Sequence, residues 1–157
     1  MRVEIDELPT MNVAAIRHVG PYQGDEQLFG RLFGQLCAWA GPKGLLGPNN
    51  RFVSVYYDDP QTTPPEQLKI DVCLLVPDGT NGEADIATQS IPGGLFAVAS
   101  AEIKSPADYM TAWNDLLSWL MSSEYEMDER PSYELYEGDQ SGTNRTVQLH
   151  LPIRAKA

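Results

Sequence analysis

The sequence predicts an α+β fold: a tandem β-β-α-β-β repeat with pseudo-two-fold symmetry, in which an antiparallel sheet carries two packed helices. Three observations predict it. Short alternating or β-rich runs flank two amphipathic stretches of similar length. Each amphipathic stretch follows one pair of strand-like runs and precedes another. A segment rich in turn residues, from Pro77 to Glu83, separates the two sets. Antiparallel strands with helices on one face satisfy this order, and its recurrence reads as an internal duplication. Repeat one covers about residues 1–77 and repeat two about 84–157, within a single domain of 157 residues. Four strands and one helix make a thin core, so the halves are expected to share one, with a ligand cleft between them.

The elements follow in order. Val3, Ile5 and Leu8 alternate with Glu4 and Asp6, a first strand with one wet face. Pro9-Thr10 turns the chain, and Met11 to Val19 is a second strand that Gly20-Pro21 ends. From about Asp25 to Ala40, Leu28, Leu32, Leu36 and Trp39 recur at helical spacing. Asp25 and Glu26 suit the positive end of the helix dipole, and Gly41-Pro42 closes it. Gly30 and Gly34, one turn apart, mark either a face closely approached or tolerated surface glycines. Phe52 to Tyr57 and Leu68 to Val76 are the next strands, parted by a Pro-rich loop.

In the second half, Ile86 to Ile91 is a short strand, Pro92-Gly93-Gly94 a turn, and Leu95 to Ile103 a nearly continuous apolar strand. Ser105 as N-cap, Pro106 at the first helical position and Asp108 three after the cap open a second helix. Its apolar face includes Tyr109, Trp113, Leu116 and Leu120. An acidic loop follows. Ser132 to Glu137 is a strand, 138–143 a turn, and Thr146 to Ile153 the last strand.

Composition bounds the function. Hydrophobic residues make up 42% and charged residues 21%, enough apolar material for a core. The net charge is -11 and there is no basic run, which disfavours direct nucleic-acid binding. Cys37 and Cys73 sit in apolar runs and read as buried free thiols. His18 and His150 are far apart, so no metal site is expected, and nothing calls for a cofactor. No apolar run approaches membrane-spanning length, and a cytoplasmic protein is expected.

Four stretches in order carry a resemblance: Val19-Gly20-Pro21-Tyr22, Val53 to Pro60, Ile91-Pro92-Gly93-Gly94, and Tyr125 through Arg130-Pro131-Ser132-Tyr133-Glu134-Leu135-Tyr136. Together they resemble the GyrI-like (SbmC-type) proteins, relatives of the effector-binding domains of AraC-type and MerR-type regulators, over essentially the whole chain. The resemblance implies a cleft for small, often cationic or aromatic, ligands, with Glu134 at its floor. It also implies modulation of DNA gyrase, or its protection from toxins. Another branch implies hydrolysis of cyclopropane-bearing compounds by a glutamate and a tyrosine.

The residues themselves leave Glu134 with two readings. It is either a solvated residue of an edge strand or a carboxylate inside an aromatic pocket, where a cationic ligand would offset its desolvation. Aligning Tyr57-Asp58-Asp59 with Tyr136-Glu137-Gly138 sets Val55 opposite Glu134 and Tyr57 opposite Tyr136. The candidate ligand set is therefore Glu134, Tyr136, Tyr57, Val55, Trp113 and Tyr109, although core packing is the favoured role for Trp113 and Tyr109. A binding module for a small organic, cationic or aromatic molecule, with DNA gyrase as partner, is the first reading. A hydrolase with Glu134 as general base, assisted by Tyr136 or Tyr57, is the second. A ligand sensor acting through a partner protein is the third.

Overall fold

The computed structural model describes residues 1–47, 50–137 and 145–157, so the turn expected over 138–143 lies outside the described residues. The described elements are β1 (Glu4–Leu8), β2 (Met11–Val19), α1 (Glu26–Ala40), β3 (Phe52–Tyr56), β4 (Lys69–Leu75), β5 (Ile86–Ile91), β6 (Gly94–Ile103), α2 (Ala107–Met121), β7 (Tyr125–Met127), β8 (Ser132–Glu137) and β9 (Arg145–Ala155). The fold is α+β, and its strand pairs are antiparallel.

The chain forms two compact units. One is residues 11–91, where β3, β4, β2 and β5 pair in that order. Even-numbered residues of β2 and β4, Ala14, Ile16, Ile70 and Val72, pack against Leu28, Leu32 and Leu36 of α1. Asp25 caps α1, its carboxylate accepting from the Leu28 N–H at 3.0 Å. A Cβ placed on Gly30 or Gly34 would meet nothing within 4 Å, so these are open surface positions.

The other unit is residues 1–10 and 92–157, where β1, β6, β9 and β8 pair in that order. The chain thus pairs β1 with β6 and β5 with β2, across the expected repeat boundary at 78–85. Ala97, Ala99, Val147, Leu149 and Leu151 pack on Ala112, Leu116 and Leu120 of α2. The start of α2 differs from expectation. Pro106 occupies the cap position, and the Ser105 side chain makes no capping bond. Asp108 caps in reverse, its carboxylate accepting from the N–H groups of Lys104 at 2.8 Å and Ser105 at 3.1 Å. Part of the acidic loop is also ordered as β7, which pairs with the end of β9. Three residues are too few to show a period of two.

Arg130 fastens the entry to β8. Its guanidinium donates to the carbonyls of Gly93 (3.1 Å), Leu95 (2.7 Å) and Ile153 (3.3 Å) and lies 4.6 Å from the centre of the Phe96 ring. Asp128 holds its Nε at 2.7 Å, and this pairing lowers the Asp128 pKa. Gly94, at φ +135°, makes the approach feasible, because a Cβ there would lie 2.5 Å from Arg130 Nη1.

A buried carboxylate as candidate ligand site

Glu134 stands at the middle of β8, opposite Leu149 of β9, with Tyr136 two residues on opposite Val147. Strand alternation turns both toward α2. Glu134 is 2% exposed, and its backbone partner Leu149 is fully buried. The solvated reading of Glu134 therefore fails. A carboxylate in such surroundings needs donors. Tyr136 supplies one, its hydroxyl donating to Oε1 at 2.9 Å. Trp113 supplies another, its Nε1–H donating to Oε2 at 2.7 Å. Together the two bonds, one to each oxygen, fix the plane of the carboxyl group.

α2 places Trp113 and Tyr109 one turn apart on its sheet-facing side, where both half-buried rings join the apolar cluster of this unit. Core packing, the favoured role for each, describes Tyr109, whereas Trp113 packs and also binds Glu134. The hydrogen bond was invisible in sequence. Helical spacing shows which side a tryptophan faces, not where its N–H ends.

Tyr57 and Val55 belong to the other unit and turn away from α1. Phe52 meets Phe33 edge-on at 5.5 Å and Tyr56 meets Tyr22 at 5.6 Å, so β3 residues 52, 54 and 56 face the helix. The helix-facing equivalents of Glu134 and Tyr136 in this half are Ser54 and Tyr56, one residue before the pair that the repeat alignment chose. Such a slip moves every side chain to the opposite face.

On that opposite face lies a cluster sequence reasoning missed. Asp71, 1% exposed, accepts from Arg17 Nε at 2.8 Å and Nη2 at 2.9 Å, from the Tyr57 hydroxyl at 2.7 Å and from Gln89 Nε2 at 2.6 Å. Burial opposes ionisation of Asp71, but these donors outweigh it and hold its pKa below the ordinary carboxylate value. Burial first, and then the bond to Asp71, push the Tyr57 hydroxyl pKa well up. Arg17 sits directly across from Asp71 in the β2–β4 register. The alternation of each strand was legible, but their mutual register was not.

A model of the GyrI-like small molecule binding domain matches residues 1–154. The chain belongs to the GyrI-like family. This GyrI-like chain is 36% identical to a DNA gyrase inhibitor of Escherichia coli (strain K12) over 163 residues, with 99% of each chain covered. Among solved structures, the C-terminal domain of EcmrR matches 99% of this chain and 98% of its own at a TM-score of 0.74 and 16% identity. SAV2435 bound to tetraphenylphosphonium matches 98% of this chain and 94% of its own at a TM-score of 0.66 and 13% identity. At such identities these two likenesses show the fold. No helix among the described residues is long and apolar enough to cross a membrane.

Proposed function

We propose that this GyrI-like chain binds a lipophilic organic cation at Glu134 and modulates DNA gyrase or shields it from toxins. One observation carries the binding reading: a 2% exposed carboxylate whose two oxygens are each held by an aromatic donor, Trp113 and Tyr136. Trp113 and Tyr136 orient the carboxylate and, being neutral, do not themselves cancel its charge. Aromatic rings beside it add cation–π attraction of about 0.5–2 kcal/mol. The sign of the ligand follows from the carboxylate, and its lipophilic character from the partly buried aromatic side chains of Trp113 and Tyr136 beside it. The gyrase part is supported by the name of the Escherichia coli relative. The cationic part is supported by the tetraphenylphosphonium bound to SAV2435.

The test is calorimetric titration of tetraphenylphosphonium into the wild type and Glu134→Gln. Glutamine keeps an acceptor for Trp113, and its amide can donate to the Tyr136 oxygen, so the change removes charge with little change of shape. Loss of a charged partner worth about 1.5–3 kcal/mol predicts affinity weakened by about 10- to 100-fold. Equal affinity in both proteins refutes the role of Glu134. A supercoiling assay tests the gyrase role separately. Supercoiling unchanged at large molar excess of this protein, with and without a gyrase poison, refutes it.

A further inference from the structure

We infer that the open edge of β5 is a docking strand for a basic, extended segment of a partner protein. Among the described residues β5 has a single partner strand, β2, and ends the sheet of its unit. The direction of its backbone groups can be worked out. The N–H and C=O of Ile86 both bond to Glu83, each at 2.9 Å, so Ile86 directs its backbone away from β2. Alternation gives Thr88 and Ser90 the same direction and leaves Ala87, Gln89 and Ile91 to pair with β2. The β2 side agrees. The Asn12 carbonyl accepts from Val76 at 3.0 Å, so even-numbered residues of β2 face β4 and odd-numbered ones face β5. Thr88 and Ser90 are both exposed and present their backbone donors and acceptors outward.

Natural sheets guard such edges with charge, proline or bulges. The other unit follows that rule, since its edge strand β1 carries Glu4, Asp6 and Glu7. β5 reads Ile-Ala-Thr-Gln-Ser-Ile, with neither charge nor proline. A second, independent feature adjoins it. A groove of about 330 Å³ is lined by Thr88 and Ser90 on one side and by Asp78, Gly79 and Thr80 on the other, with Asn12 beneath. The Asn12 amide donates to Asp78 and holds the far wall. The groove lies over β2 on the inner side of β5, so it borders the open edge with hydroxyls and one carboxylate while the added strand would lie along the outer side.

Charge chooses the occupant. Asp78 in the wall and Asp85 at the turn into β5 are exposed acids on a chain of net charge -11. A second copy would bring the same negative charge to the same edge, so a basic segment is favoured. Backbone pairing would give affinity, and the acids would give sign selectivity. This inference does not depend on ligand binding at Glu134.

The test follows backbone amides by NMR while a short synthetic peptide alternating Lys with Val is added, and then its Glu-for-Lys counterpart. The Lys peptide is expected to slow exchange of the Thr88 and Ser90 amides, with affinity falling as salt rises. Thr88→Pro deletes an outward N–H and spares the β2 ladder, where an edge strand tolerates proline. It is expected to weaken the peptide about tenfold or more. Ser90→Pro serves equally if Thr88→Pro does not fold. Glu134→Gln is expected to bind the peptide as the wild type does, which separates this site from the one at Glu134. The inference is overturned by an unaltered edge at millimolar peptide, by both proline variants binding normally, or by equal binding of the acidic peptide. Concentration-dependent protection of Thr88 and Ser90 without peptide overturns it in favour of a second copy.

Discussion

His150 provides a pH dependence that can be worked from its surroundings. It lies on β9 opposite Tyr133, stacked on that ring at 4.4 Å and 12°, with Phe96 edge-on at 6.1 Å. It is 5% exposed, and its Nδ1 is buried without a hydrogen-bond partner. Burial lowers its pKa from 6.5 to about 4. The unfolded chain therefore takes up the proton first as pH falls. The stability that neutral His150 contributes is complete above pH 6.5 and is lost between 6.5 and about 4. At ~1.4 kcal/mol for each tenfold change in proton affinity, the loss is about 3 kcal/mol. His150→Phe keeps an aromatic ring on Tyr133 and removes the titration. Urea unfolding followed by tryptophan fluorescence, at neutral pH and near pH 4, gives the stability difference between the two proteins. Carboxylates that titrate in the same range are common to both and cancel. The difference is expected to move by about 3 kcal/mol in favour of the variant at acid pH, or roughly 1–3 M urea in midpoint. An equal difference at both pH values would falsify the argument that this imidazole is held neutral.

Three further changes have expected outcomes. Trp113→Phe removes the donor to Glu134 Oε2 and should cost about 1.5–3 kcal/mol in urea unfolding, with no change in helix content. Gly94→Ala drives a methyl into the Arg130 guanidinium at a φ of +135°. It should lower stability by several kcal/mol, on the order of a severe overpacking, and full retention of the thermal midpoint would show that Arg130 can move aside at no cost. Ala84, at φ +52°, occupies the left-handed region, so Ala84→Gly should stabilise by about 1 kcal/mol and raise the midpoint by about 2–4 °C.

Periodicity carried most of the fold. β2, β5 and β8 have the bounds that alternation gave them, because each is bracketed by glycine, proline or a polar turn. α1 was legible from four apolar residues at helical spacing and the acids Asp25 and Glu26 at its start, while the Asp25 cap itself was read only from the structure. What failed was information that lies between elements. β7 exists because the end of β9 offers it a partner, and nothing in Tyr-Glu-Met alone reports that. Ser105 looked like a cap by residue type, but the side-chain bonds at this end come from Asp108, which reaches back to the N–H groups of Lys104 and Ser105. Glu134 and Tyr136 could be assigned to one face because they lie on one strand. The Trp113 donor comes from another element, and the Arg17–Asp71 pair needs the register of two strands. Local pattern reads faces, and only packing supplies the partners.

The one-residue correction to the repeat changes what the duplication says about Glu134. Paired by the face they turn to their helix, the halves keep tyrosine at one position, Tyr56 and Tyr136, and differ at the other, Ser54 and Glu134. Ser54 is fully buried, as Glu134 is nearly so, and both positions thus hold a polar group inside the protein. They differ in size and in kind, a short hydroxyl in one half and a longer carboxyl group in the other. The other buried acid, Asp71, is no counterpart, because it faces away from α1 and is joined to Arg17 by two hydrogen bonds. Its exchange for asparagine would leave a guanidinium without its carboxylate, a structural penalty. At Glu134 the aromatic donors Trp113 and Tyr136 are neutral, and an amide can still meet them. Removal of charge at Glu134 is therefore expected to register in the sign of ligand the protein accepts, while removal of charge at Asp71 registers in whether the sheet of residues 11–91 holds together.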